Sequence, residues 1–405
     1  MAPSPVPRPA APPPSAAIPD PRPVRAFLDE AHVDLAVRVA AFAARDLVPR
    51  PAPATDASAR VEARALLALL GGGQWLDSIR RQDWRAACLT REALGAASPL
   101  ADAVFALQGL GTLPVLWAGS DSLRARWTDA AIAGTAMAAF AMTEPEAGSD
   151  VAGMATRARR DGDAYVLSGV KSYISNAGIA DFYVVFASTD PAAGGKGISC
   201  FLVPADTPGL GFNAQILSAP HPLGEITLTD CRVPAANRLG EEGRGFALGL
   251  KTLDRMRATV GAAASGMAAR ALDEAIGHAR TRRQFGKPLA EFQLVQEKVA
   301  RMATELTAAR LLVYRAAWEA DRGADRVTLE AAMAKAYATE AAQRIIDDAV
   351  QILGARGVMA DHPVDLLYRA VRSLRIYEGT TEIQHLVIAG QLLGPGAPPG
   401  GAARG

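Results

Sequence analysis

The stretch AYVLSGVKSYISNAGIADFYVVFAS, residues 164–188, decides the fold. It is rich in Val, Ile, Tyr and Phe, side chains that suit a pleated, half-buried surface. Ser168-Gly169 and Asn176-Ala177-Gly178 break it with turn chemistry. The pattern continues through GISCFLVPAD (197–206), FNAQILS (212–218) and GEITLTDCRVP (224–234). These segments predict a β domain that ends near residue 234.

On either side the texture is helical. VRAFLDEAHVDLAVRVAAFAARDL (24–47) is rich in Ala and Leu, with apolar residues at i+3 and i+4 spacing. Further helices are expected around 60–71, 79–95, 97–109 and 120–134. After the β domain, helices resume near Gly243 and are long. Val295, Val299, Met302, Leu306, Ala309 and Val313 step by three or four residues and form one apolar stripe. Met256, Val260, Ala263, Met267 and Leu272 form a second, with Gly261 and Gly266 permitting close helix approach. A third helix is expected from Thr328 to about Leu353, carrying Met333, Ala336, Tyr337 and Ala341, and shorter ones after Pro363 and Gly379.

The predicted class is therefore α+β. An N-terminal helical domain (24–137) leads to a middle β domain (138–240) and a C-terminal bundle of about four helices (241–394). The Pro/Ala-rich residues 1–23 lack the apolar core of a signal peptide and read as a disordered tail; 395–405 read as a flexible one.

Composition excludes several function classes. The formal net charge is +1, which points to neither nucleic acid nor an anionic membrane as partner. Lys occurs only at 171, 196, 251, 287, 298 and 335, so the basic residues are almost all Arg. The three cysteines, Cys88, Cys200 and Cys231, make neither a disulfide framework nor a metal pattern and suit a reducing, cytoplasmic setting. Five scattered histidines argue against a His-rich metal site. The apolar run at 130–142 is shorter than the roughly 20 residues a bilayer requires, and no membrane span is expected.

Two polar segments carry candidate chemistry. AMTEPEAGSD (141–150) offers the hydroxyls of Thr143 and Ser149, a turning Glu144-Pro145 and a small Gly148, a donor-rich loop suited to a flat or anionic group. RIYEGTTEIQ (375–384) places Glu378 between a tyrosine and a glycine. Read alone, it fits a polar loop as well as a carboxylate held on a tight turn.

AMTEPEAGSD, GVKSYISNAGIADFYVVFAS, RRQFGKPLAEFQLVQ, QILGARG and RIYEGTTEIQ occur in this order and at these separations. Together they resemble the acyl-CoA dehydrogenase family, FAD-dependent flavoproteins of the same α–β–α plan, over about residues 27–393. The resemblance implies that Met142 and Thr143 meet the flavin ring edge. Tyr173 and Ser175 stand where the family has Trp-x-Thr, an aromatic against the flavin face and a hydroxyl near N5. Ser149 is implied to contact the CoA arm, and Asp254 and Arg257 the CoA and thioester region.

Arg282, Gln284, Phe285 and Gln293 match a segment that reaches a neighbouring subunit's FAD, with the arginine on the pyrophosphate. Gln351, Ile352, Leu353, Gly354 and Ala355 match a turn near the adenosine, with Ala355 replacing a usual glycine. Ala370 replaces a usual aspartate and is expected to lose a salt bridge. Glu378 aligns with the catalytic base, and the Gly379 region supplies a donor to the thioester carbonyl. Thr380, Thr381 and Glu382 would face the cofactor. Some branches carry the base just before the position of Arg257; Met256 stands there, which agrees with Glu378 as base.

The implied reaction is α,β-dehydrogenation of an acyl-CoA, with an electron-transfer flavoprotein or similar acceptor, in a homodimer or homotetramer. The alternatives are an acyl-CoA oxidase, which the chain length disfavours, and a silent FAD- and acyl-CoA-binding homologue.

Overall fold

The computed structural model of the protein describes residues 18–394. Residues 1–17 and 395–405, read above as tails, lie outside the described residues. Residues 18–23, expected with the N-terminal tail, are instead ordered against the helical core. The Asp20 carbonyl accepts from Arg310 at 2.6 Å, and Val24 just beyond is fully buried.

The N-terminal part is helical. It comprises α1 (Glu30–Phe42), α2 (Asp56–Gly72), α3 (Asp77–Arg81), α4 (Trp84–Ala97) and α5 (Pro99–Ala118), then the short α6 (Asp121–Leu123) and α7 (Asp129–Ile132). Local chemistry sets the boundaries: Thr55, Asp83 and Ser98 accept backbone N–H groups at the N-termini of α2, α4 and α5. The α5 helix is longer than the 130–142 run, and by length and composition it could cross a membrane. Here most of it is buried in the protein core, which accounts for its apolar character.

The strands are β1 (Ala138–Ala141), β2 (Arg157–Asp161), β3 (Ala164–Ser175), β4 (Phe182–Ser188), β5 (Ile198–Pro204), β6 (Leu210–Ala214) and β7 (Leu223–Pro234). Their order is β1-β4-β2-β3-β7-β6, with β5 also paired to β4. β4 is buried along its whole length, as its continuous apolar run dictates. FNAQILS is strand only to Ala214; Ile216 and Leu217 lie exposed in the loop that follows.

The C-terminal part has three long helices, α8 (Gly245–Thr281), α9 (Gln293–Asp321) and α10 (Thr328–Leu353). A small hairpin, β8 (Arg283–Gln284) and β9 (Lys287–Pro288), joins α8 to α9. The shorter α11 (Pro363–Leu374) and α12 (Thr381–Leu393) complete it. Every residue of the Met256–Leu272 stripe is buried. Tyr337 on α10 is exposed.

The N-terminal helices and the bundle share one hydrophobic core, the sheet has one of its own, and a third joins the other face of the sheet to α5, α6 and α7. α4 lies tight against α8: a Cβ on Gly266 would come within 1.9 Å of the Glu92 carbonyl oxygen.

Candidate active site

Glu378 and Gly379 form the turn between α11 and α12, and both are left-handed, with φ of 55° and 90°. Gly379 adopts that conformation freely. For Glu378 it costs on the order of 1–2 kcal/mol, so the surroundings must hold it. They do so through the backbone. The Lys335 ammonium on α10 donates to the Gly379 carbonyl at 2.6 Å, and the Gln384 amide donates to the Glu378 and Gly379 carbonyls, both at 3.1 Å. Thr380 caps α12 by accepting from the Ile383 N–H at 3.3 Å. The Thr381 hydroxyl, expected to face a cofactor, donates instead to Glu340 at 2.7 Å.

Glu378 is half-buried, and its Oε2 is enclosed with no hydrogen-bond partner among the described residues, so the carboxylate sits in a recess faced by Arg91, Lys335, Arg257 and Asp102. Burial pushes its carboxyl above the usual glutamate range, against the pull of Arg91, Lys335 and Arg257. Arg91 on α4 is fully buried and forks onto Asp102 of α5 at 2.7 and 2.9 Å, with a third bond to the Thr259 hydroxyl at 2.8 Å. Arg257 pairs with Asp254 at 3.0 Å, and Asp254 also accepts from Thr328 at 2.8 Å. Met256, beside them on α8, is fully buried and carries no titratable group.

A second cluster forms at one corner of the sheet. The Ser172 N–H donates to the Thr143 carbonyl at 3.0 Å, which brings Met142 and Thr143 alongside Tyr173 and Ser175. The β3–β7 register shifts between Lys171 and Ile174, and Tyr173 takes a positive φ of 59° and is 62% exposed. Beneath it the buried Lys171 ammonium bonds Glu144 at 2.8 Å and the Met142 carbonyl at 3.2 Å. Burial alone would raise the Glu144 carboxyl, but Lys171 and the N–H groups of Ala155 and Thr156 hold it below the usual range. The Ser175 hydroxyl meets His221 Nε2 at 2.7 Å. Burial and Arg60 pull that imidazole down to about 4, so it is neutral near pH 7.

The remaining expected residues lie apart from both clusters within the chain. Arg282, Gln284, Phe285 and Gln293 are exposed at the β8–β9 hairpin and the start of α9, with Phe285 at 93%. At the end of α10, Gln351, Gly354 and Ala355 are exposed, while Ile352 and Leu353 are buried in the core. Ser149 and Glu382 are exposed. Arg369, next to Ala370, keeps an ion pair with Asp365 at 2.9 Å. His32, Asp83 and Asp321 bring ligand-type atoms within 4.8 Å of one another, but each is engaged. His32 meets Asp83 at 3.1 Å, Asp83 caps α4, and Asp321 accepts from Trp84 and Arg85.

Lys335, Gln384, Arg91, Asp102, His221 and Lys171 are the site residues the sequence reading passed over. Two left a trace: in a chain that uses Arg almost everywhere, Lys171 and Lys335 are two of only six lysines, and both are fully buried. The others are brought in by tertiary packing and leave no local pattern.

Residues 139–231 match the acyl-CoA dehydrogenase middle domain, and residues 243–393 match the acyl-CoA dehydrogenase C-terminal domain. The probable acyl-CoA dehydrogenase FadE25 of Mycobacterium tuberculosis is 38% identical over 381 residues, covering 90% of this chain and 96% of that protein. Butyryl-CoA dehydrogenase from Megasphaera elsdenii superposes with a TM-score of 0.82 at 32% identity, over 91% of this chain and 99% of that one. A glutaryl-CoA dehydrogenase from Mycobacterium smegmatis in complex with FADH2 gives 0.85 at 29% identity, over 92% of this chain and 97% of that one. A helical layer, a sheet and a bundle in this order, with matches across both the sheet and the bundle, establish that the chain belongs to the acyl-CoA dehydrogenase family.

Proposed function

We propose that the protein is an FAD-dependent acyl-CoA dehydrogenase that converts an acyl-CoA thioester to the 2,3-enoyl-CoA, with Glu378 as the base. The observation that carries this reading is the Glu378 carboxylate. It is held in a strained left-handed turn, faces a recess and leaves one buried oxygen without a partner. Strain kept at a polar residue is a feature of working sites, and a carboxylate without a fixed bond is free to accept a proton.

The donor set at the sheet corner suits a flavin. Thr143 and Ser175 offer hydroxyls beside an exposed aromatic ring, Tyr173, and Met142 lies beside Thr143. These four would hold the flavin ring. The exposed Arg282, Gln284, Phe285 and Gln293 have the chemistry for a pyrophosphate and its flanking groups but face outward, so they would serve a second copy's FAD. The outward-facing Gln351, Gly354 and Ala355 would approach the adenosine, with Ile352 and Leu353 anchoring that turn in the core. FAD, when bound, accepts the β-hydrogen as hydride. The assembly is then a homodimer or a tetramer of two dimers, reoxidised by an electron-transfer flavoprotein or similar acceptor.

The chain's own residues account for the proton step. The α C–H bond breaks, its proton goes to a Glu378 oxygen, and the electron pair moves into the thioester carbonyl. Backbone N–H groups near Gly379 stabilise that developing oxyanion. In the recess the carboxylate is a stronger base than in water. Arg257 and Asp254 would position the thioester, and Ser149 the CoA arm. The test is anaerobic bleaching of the purified flavoprotein by a panel of short, branched and alicyclic acyl-CoA thioesters. A yellow protein that no thioester bleaches would refute the reading.

A further inference from the structure

Lys335 lies in the N-terminal third of α10 and is fully buried, where a lysine is rare without a counter-charge. Its ammonium is directed at a backbone carbonyl, that of Gly379, at 2.6 Å. That carbonyl belongs to the second of two consecutive left-handed residues, the first being Glu378. That carbonyl closes the turn, and a fixed cation on it opposes rotation of the Gly379–Thr380 peptide and so fixes the end of the turn that carries Glu378. Gln384 holds the same carbonyl and its neighbour from α12, so the turn is gripped from two helices.

We propose that Lys335 is a positioning residue for α-proton abstraction: its ammonium, fixed by α10, holds the Gly379 carbonyl and so keeps the Glu378 carboxylate aimed into the recess. This rests on Glu378 being the base. Lys335 also acts through space. Glu378 is faced by Arg91 from α4, Asp102 from α5, Arg257 from α8 and Lys335 from α10. Lys335 in turn faces Glu378, Arg257, Glu340 and Glu382. Of the three cations, Arg91 and Arg257 are bonded to aspartates of their own, whereas Lys335 is bonded to a neutral carbonyl. Its charge adds to that of Arg91, the strongest pull on the Glu378 carboxylate, and favours the ionised base.

The test uses the holoenzyme and a 3-thia-acyl-CoA, which has α-hydrogens but no β-hydrogen to lose. Exchange of its α-hydrogens into D2O, followed by NMR, reports proton abstraction alone. In Lys335→Met, exchange should slow by about ten- to a hundredfold, as expected for loss of a charge-assisted bond, with thioester affinity changed less than about threefold. The acid limb of the exchange rate should move to higher pH, because the carboxylate loses a favouring cation. Lys335→Arg should restore most of that limb.

A merely structural lysine would lower melting temperature without moving the acid limb. Should Lys335→Met not fold, Lys335→Gln, which keeps a donor and no charge, carries the same expectation. An unmoved acid limb with wild-type exchange in either variant overturns the proposal. A wild-type enzyme that neither exchanges nor bleaches overturns the proposed function instead.

Discussion

Lys171 and Lys335 are both wholly buried, and burial draws both ammonium groups down to about 8. Each neighbours a glutamate, but the pairs are built differently. Lys171 bonds Glu144 directly at 2.8 Å, and two backbone N–H groups complete the carboxylate's shell. Lys335 reaches only the carbonyl of Gly379, and Glu378 keeps a buried oxygen with no partner. The outcome is opposite: the Glu144 carboxyl is held below the ordinary value and the Glu378 carboxyl is raised above it. A carboxylate given every bond it can accept becomes part of the frame. One given a nearby cation but no direct bond keeps an oxygen open to a proton.

The contrast is best broken at Glu378 itself. Glu378→Gln should still bind acyl-CoA and fold, while flavin bleaching slows about a hundred- to ten-thousandfold in stopped-flow traces; bleaching at the wild-type rate would remove Glu378 from the chemistry. At the other pair the loss should fall on stability. Lys171→Met leaves Glu144 as an uncompensated buried charge, for about 3–5 kcal/mol by denaturant unfolding. Adding Glu144→Leu should recover part of it, and recovery of none would mean that Lys171 matters through its bond to the Met142 carbonyl.

Stability against pH sharpens the comparison further. Glu144, depressed in the fold, contributes stability that is present above the unfolded value of 4.5 and lost as pH falls through its folded value. Glu378, raised in the fold, has the reverse sign: its contribution is present below 4.5 and lost as pH rises through its folded value. Glu144→Gln should therefore lower the melting temperature at pH 7 and Glu378→Gln should raise it, with both differences shrinking in acid. Equal signs at pH 7 would collapse the distinction.

Smaller effects are expected outside the two pairs. Arg282→Ala should reduce FAD retained through gel filtration, and stripping FAD should promote dissociation seen by light scattering, since a cofactor bound by two copies stabilises their association. A monomer with full FAD would contradict this. Asp254→Asn, which keeps the acceptor for Thr328 and removes a charge beside Arg257, should raise the acyl-CoA dissociation constant severalfold with bleaching at saturation little changed.

Much of this was legible in the residues. The Val/Ile/Tyr/Phe run at 164–188 announced the sheet because β4 is buried on both faces, and the three-and-four stepping of Met256 to Leu272 announced a helix with one buried face. Glu378 stood out only through the resemblance carried by the ordered motifs, because the ten residues around it fit a polar loop as well. Lys335 did not stand out, because alanines on each side make it look like one more solvent-facing lysine, and only the return of the 375–384 segment against α10 gives it a partner. Arg91 and Asp102 were hidden for the same reason: two helices joined at Ser98 had to be placed before the two charges could be seen to meet.

The helices before the sheet and those after it bury their apolar faces in a single cluster. Every contact between α4 and α8 therefore spans the whole sheet in sequence, and the chain must close that loop before either helix gains from it. This gives a high contact order, which slows folding. It also makes the two helical portions one cooperative unit, while the sheet, with a cluster of its own and another against α5, α6 and α7, can form on a shorter stretch of chain. The recess around Glu378, drawn from α4, α5, α8, α10 and the last turn, is then among the last features of the molecule to assemble.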